Sequence, residues 1–244
     1  MPVGLGGEQG WWCPTLDDSP DDISGNGNNG TYQGGMGTVA DTSNGGTRAY
    51  DFDGSNDYIE NSSLDLRNLS EISWSAWVKD DKTTGLSSFF SHGLSGGYTN
   101  DTFLYQTAGN VRFQVNQLAD GSGYTGRPIT STWHHLACVF DGSGASDADR
   151  LRYFLDGVEV SLTYDYTVPP LTGNPSSSST MIGNYVPSPT QFFKGLQDDV
   201  RAYHRAITQS EVTHLATARG VLGGPYVGLG GEQGWWCPTL DDSP

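Results

Sequence analysis

Lysine is almost missing from this chain of 244 residues: only Lys79, Lys82 and Lys194 occur, and the formal net charge is −16. So acidic a chain repels a phosphate backbone and an anionic leaflet, which argues against nucleic acid and membrane lipid as partners. No apolar run approaches the ~20 residues that a spanning helix requires, so no membrane insertion is expected. The chain opens Met1-Pro2-Val3-Gly4-Leu5, without a basic n-region or an apolar h-region. Met1-Pro2 reads as a start placed before a piece of a longer protein whose export signal lies elsewhere. Glutamate is confined to Glu8, Glu60, Glu71, Glu159, Glu211 and Glu232. No G-x-S-x-G nucleophile elbow appears. His134 and His135 are neighbours on an alternating stretch, so they face opposite ways and cannot act as one metal pair.

What the chain has in quantity is glycine, with 34 residues, and aromatic side chains: seven Trp, twelve Tyr and nine Phe. Glycine with Asp, Asn, Ser and Thr suits many short strands joined by turns, and aromatics supply a core that a disordered chain would lack. Residues 9–16, QGWWCPTL, read as a first strand, and residues 17–30 as a turn-rich loop. In residues 71–79 the period is two: Ile72, Trp74, Ala76 and Val78 share one face, and Ser73, Ser75, Trp77 and Lys79 the other. Residues 48–60 read as two short strands about a turn at Gly54. Further strands are expected near 86–92, 102–107, 111–117, 133–140, 151–160, 180–185 and 192–203. The stretches 133–140 and 151–160 read as a hairpin pair joined by the loop 141–150, with a second turn at Asp156-Gly157. Thr208 and Glu211 have capping-box spacing, which starts one short helix that Gly220 stops. The fold class is therefore all-β, an antiparallel sandwich with one short C-terminal helix.

The strongest feature is an internal duplication. Val3–Pro20 reads VGLGGEQGWWCPTLDDSP, and Val227–Pro244 repeats it without one difference, 224 positions later. The expected organisation is a repeat over residues 3–226, followed in 227–244 by the first strand of the next identical repeat. Trp11 and Trp12, and then Trp235 and Trp236, would hold the same place in successive domains. A strand donated from a separate subunit would place them alike. Cys13 and Cys237 are one position seen twice, and Cys138 is the other. One disulfide per repeat and two buried free thiols are both compatible with that count.

The succession SGNGNNGT, YDFDGSNDYIE, SWSAWVK, TWHHLACVFDG, YFLDGVEV, MIGNY and FFKGLQDDVRAYHRAITQSEV resembles the laminin-G-like jelly rolls of the concanavalin A-like lectin/glucanase superfamily. The resemblance runs from about Trp11 to Gly220 and is similar to domains of large bacterial surface proteins. It implies a concanavalin A-like jelly roll. Glucanases of this fold carry E-x-D-x-x-E on one strand, and none of the six glutamates starts such a motif, so no catalytic residue and no enzyme is expected. The resemblance also implies a structural calcium where the last strand passes the first. Asp198 and Asp199 match its last-strand acids, and Asp18, Asp22, Asn26 and Asn28 lie in the early loop that would face them. Asp53, Asn56 and Asp57 form a second oxygen-rich group that reads as a turn. Trp77, Tyr98, Tyr124, Tyr164, Tyr166 and Tyr185 are the aromatic candidates for glycan contact. The expected function is a non-enzymatic repeat of an extracellular or cell-surface fibre or adhesion protein, with neighbouring copies of the same repeat as partners. The alternative is a carbohydrate-binding lectin-like module with glycan partners, and a glycoside hydrolase comes third.

Overall fold

A computed structural model describes residues 4–82, 85–93, 101–107, 109–116, 122–126, 131–175, 178–185 and 190–222. The second copy of the repeated segment, with Trp235, Trp236 and Cys237, lies outside these residues, as does Tyr98. The first half of the chain forms β1 (Glu8–Trp12), β2 (Thr31–Gln33), β3 (Gly37–Ala40), β4 (Arg48–Asp53), β5 (Tyr58–Asn61), β6 (Glu71–Asp80), β7 (Ser87–Gly93), β8 (Thr102–Gln106) and β9 (Val111–Gln114). The second half forms β10 (Ser122–Thr125), β11 (His134–Asp141), α1 (Asp147–Arg150), β12 (Leu151–Leu155), β13 (Val158–Val160), β14 (Thr163–Tyr164), β15 (Ser179–Ile182), β16 (Lys194–Tyr203) and α2 (Gln209–Leu215).

Among the described residues these strands make two antiparallel sheets. Sheet A runs β13-β12-β11-β6-β16-β4-β3, with β1 also paired to β16, and sheet B runs β14-β10-β9-β8-β7-β15-β5-β2. The core lies between them. Ile72, Trp74, Ala76 and Val78 of β6 enter it, the face that alternation selects, together with Leu136, Cys138 and Phe140 of β11 and Leu104, Val111, Phe113 and Ile182 of sheet B. β4 and β5, though separated by only a short turn, belong to opposite sheets, so Gly54 begins a crossing rather than a hairpin. The β12–β13 turn is as the sequence requires: Asp156 and Gly157 both have positive φ, 52° and 79°, which a two-residue hairpin needs. A single helical turn, α1, sits in the β11–β12 connection.

The outer side of sheet A carries a smaller apolar cluster of Ala137, Val139, Phe154, Tyr203, Ile207, Val212 and Leu215. α2 covers it. The helix opens on the expected capping box, with Thr208 accepting from the Glu211 N–H and Glu211 accepting from the Thr208 N–H. Trp77 corrects an expectation here. Alternation puts it on the outer face with serines and a lysine, but α2 buries it, and its indole N–H donates to the Leu215 carbonyl at 3.2 Å.

Candidate functional site

β16 changes partner half-way along. One edge pairs with β6; the other pairs first with β4, through Lys194–Gln197, and then with β1, through Val200–Tyr203. The changeover is a bulge between Asp198 and Arg201, where Asp199 takes a left-handed φ of 50°. An extra residue at such a point re-aims side chains inward. Here it buries three charged groups, Asp198, Asp199 and Arg201, at 2% exposure or less.

A buried charge is tolerable only when it is paired and hydrogen-bonded. The Arg201 guanidinium forks onto Asp199 (Nε to Oδ1 2.8 Å, Nη2 to Oδ2 3.2 Å) and reaches Glu8 at 3.4 Å. It also lies over the Trp11 ring at 4.0 Å from the centroid. The Trp11 indole N–H donates to Asp199 at 2.7 Å. Asp198 accepts from the Thr15 hydroxyl, the Asp199 N–H and the Cys13 thiol, and Arg219 stands 3.6 Å away. Burial pushes the Asp198 carboxyl up to about 6, with the Asp199 charge adding to it and the Thr15 hydrogen bond opposing it.

β1 is held between this cluster and the loop that follows it. On its second edge it finds side chains instead of a strand. Asp22 accepts from the backbone N–H groups of Trp11, Ser24 and Asn28, each at 2.9 Å. The Asn26 amide donates to the Glu8 carbonyl at 2.7 Å, and the Asn28 amide to the Gln9 carbonyl at 2.6 Å. Trp12 donates to the Asn28 carbonyl at 3.0 Å. Trp11 and Trp12 are 1% and 0% exposed. Burying two indoles stabilises the module by on the order of 10 kcal/mol before ordering costs.

This arrangement does not fit calcium. Asp198 and Asp199 lie on one side of β1 and the Asp22 loop on the other, so the six expected ligands do not converge. Asp199 is occupied by a guanidinium and an indole N–H, and Asp22 by three backbone N–H groups, where a cation needs free oxygens. Asp18 turns outward to an ion pair with Arg48 at 2.8 Å. Among the described residues no group of three or more His, Cys, Asp or Glu is placed to hold a metal. Asp53 and Asp57 form the turn that their spacing suggests: Asp53 accepts from Ser55 and Asn56, and Asp57 accepts from the Asp53 N–H. Of the two states open for Cys13 and Cys138, the structure has the free thiols. Both thiols are free and buried, Cys13 beside Asp198 and Cys138 in the core between the sheets. Arg201, Arg219, Glu8 and Thr15 went unnoticed in the sequence; the available signal was the rarity of arginine in so acidic a chain.

A second place is the outer face of sheet B. Register aligns Tyr105, Arg112 and Tyr124 across three strands, and Phe103, Gln114 and Ser122 beside them. Phe103 stacks on Tyr105 (centroids 4.5 Å apart, 14° between planes) and packs against Tyr185 at 4.6 Å. Arg112 covers Tyr124 at 4.9 Å and is ion-paired to Asp165. The Tyr185 hydroxyl donates to Asp101 at 3.3 Å. Next to Tyr185, fully buried Asn184 accepts the Tyr185 N–H through Oδ1, while its Nδ2 has no hydrogen-bond partner among the described residues. Of the aromatic glycan candidates, Tyr124 and Tyr185 belong to this face. Tyr164 donates to the Leu151 carbonyl, and Tyr166 is exposed. Phe103, Tyr105 and Asn184 were missed, although the alternation in FLYQ and VRFQ carries the signal for the first two.

The laminin-G family model of the concanavalin A-like lectin/glucanases superfamily matches residues 53–213. No curated protein matches this sequence. Solved structures do, at low identity. Domain 4 of AbnA, a GH43 extracellular arabinanase from Geobacillus stearothermophilus in complex with arabinotriose, has a TM-score of 0.61 and 22% identity, over 88% of this chain and 100% of that one. The binding domain of Botulinum neurotoxin DC in complex with SialylT has a TM-score of 0.64 and 10% identity, over 87% of this chain and 51% of that one. The binding domain of Paraclostridial Mosquitocidal Protein 1 gives 0.61 and 13%, over 86% and 52%. The chain thus spans about half of each toxin binding domain and all of the arabinanase domain. At these identities the likeness is one of fold.

Proposed function

The chain belongs to the concanavalin A-like lectin/glucanases superfamily, and from that premise we propose that it is a non-catalytic module of an extracellular or cell-surface assembly, joined end to end to identical modules. One observation carries this reading. Residues 4–20 of the first copy are not a tail but an integral part of the sandwich: they supply β1, two fully buried indoles and the ion partner of Arg201. An identical second segment holds everything that a β1 groove recognises. Left without a groove it would expose two indoles and an unpaired strand edge. A chain shortened to end at Leu222, which keeps the Val221 carbonyl that Arg201 binds, tests the reading. It is expected to remain folded and to lose association with other copies, read by light scattering and electron microscopy. Assembly that persists without the second copy would sink it.

A second reading, carbohydrate binding, is favoured by the outer face of sheet B. A buried amide donor without a partner beside packed aromatic rings is the combination that ligand sites use, apolar walls with a few placed polar groups. The arabinanase domain and a toxin binding domain, both of this fold, were solved with sugar ligands. Titration calorimetry with arabinotriose and with a sialylated oligosaccharide tests it. Binding that weakens tenfold or more in Asn184→Ala and Tyr185→Ala would support the site; no heat with neutral or sialylated sugars would oppose it.

A further inference from the structure

After α2 the chain returns to the point where it began. Gly220, with a φ of 66°, passes so close to β1 that a side chain there would meet Thr15 at 2.9 Å and the Cys13 sulfur at 3.4 Å. Val221 then packs on the same outer cluster as Leu5. Arg201 ties the two ends together, donating to the Val221 carbonyl at 2.5 Å and to Glu8 at 3.4 Å. Glu8 in turn accepts from the N–H groups of Leu5 and Gly6, at 2.6 and 2.9 Å. The chain therefore leaves the module at the mouth of the groove that β1 fills. From Val221 to Leu229, the counterpart of Leu5, is eight positions. Eight residues reach up to about 26 Å, ample for two points already packed on one cluster.

The far end of the segment is equally permissive. Pro20 and Pro244 are counterparts in the two copies. The contacts that anchor this end lie inside the stretch: Pro20 accepts from the Gly30 N–H, and Ser19 from the Tyr50 hydroxyl. The next residue, Asp21, is exposed. A chain break between positions 20 and 21 would cut no buried element.

We propose that the groove accepts either copy, so that Val227–Pro244 can close the very module it emerges from, displacing Val3–Pro20 and freeing that copy for another chain. The proposal rests on the reading that the second copy binds a β1 groove, and adds that its own groove is within reach. Intact chains would exchange identical strands between closed monomers and open, linked copies, without any new interface.

The test uses the full chain in four forms: the parent, Trp11→Ala with Trp12→Ala, Trp235→Ala with Trp236→Ala, and all four substitutions together. Each is followed by thermal melting and light scattering at low micromolar and at tenfold higher concentration. Either double variant is expected to melt cooperatively as a monomer, within a few degrees of the parent and independent of concentration. The fourfold variant is expected to lose the cooperative transition. If the Trp11/Trp12 variant folds only as an oligomer with a concentration-dependent midpoint, self-closure is overturned and the end-to-end reading stands. If it fails to fold at both concentrations while the Trp235/Trp236 variant folds, the second copy fits no groove and both readings fall. A fourfold variant that melts like the parent would overturn the proposal by removing the groove's importance.

Discussion

Replacing Arg201 with methionine would remove the guanidinium that forks onto Asp199, while leaving a side chain of similar length. Asp199 would then be a buried carboxylate left with the Trp11 N–H, while Glu8 keeps the N–H groups of Leu5 and Gly6. Breaking one partner of a buried pair costs about 3–5 kcal/mol. For a domain of this size each kcal/mol moves the midpoint by about 2–4 °C, so Arg201→Met is expected to melt roughly 6–20 °C below the parent. The loss should start at β1, because Arg201 ties Glu8, Trp11 and Val221 together. Indole fluorescence should therefore change before the far-ultraviolet dichroism does. Adding Asp199→Asn, which tolerates the left-handed backbone and still accepts from Trp11, removes the stranded charge and should recover roughly half of the loss. Urea unfolding of the two single variants and the double variant closes the cycle. A cost below about 1 kcal/mol for Arg201→Met, or strictly additive effects, would refute the account of the buried pair.

Calcium and a chelator should give the same melting midpoint, because the oxygens of Asp22 and Asp199 are already held by N–H donors; a rise of several degrees with calcium would show a site that these contacts do not reveal. Asp198, held at about 6 instead of 3.8, binds a proton in the folded state that the unfolded chain lacks between about pH 6 and pH 4. Stability from this group therefore rises as pH falls through that window. Asp198→Asn removes that gain, so its stability relative to the parent should drop from pH 7 to pH 4 by up to about 3 kcal/mol; a flat difference over that range would be the contrary result. Cys13 and Cys138, whose thiols burial pushes well above the ordinary range, should resist a thiol reagent in the native protein and react after denaturation, and a native disulfide in mass spectra would contradict this.

The sandwich was readable because its signals are local. Period-two alternation placed Ile72, Trp74, Ala76 and Val78 inward, Asp156-Gly157 supplied the turn, and Thr208 with Glu211 marked the start of α2. Trp77 was misjudged because the helix that buries it arrives 138 positions later. The short strands β2, β3, β10 and β14 were missed because two to four residues rich in glycine and hydroxyl side chains leave little pattern. The acidic loop was located but given the wrong partner. Asp and Asn oxygens suit a cation and a row of backbone N–H groups equally well, and what decides between them is whether an arginine or a free strand edge lies opposite. What hides the answer is the pairing of β1 with β16, which brings Trp11 and Asp199 together from 188 positions apart.

The pairing of β1 with β16 also bears on the order in which the chain folds. Glu8 and Tyr203 stand 195 positions apart, so the first-synthesised strand waits for the last one. Glu232 stands 29 positions from Tyr203. Closing the shorter loop costs about 1.7 kcal/mol less chain entropy by the logarithmic law, or roughly a seventeenfold advantage in the chance of encounter. On the proposed exchange, the copy that emerges second would reach the finished groove by the shorter path.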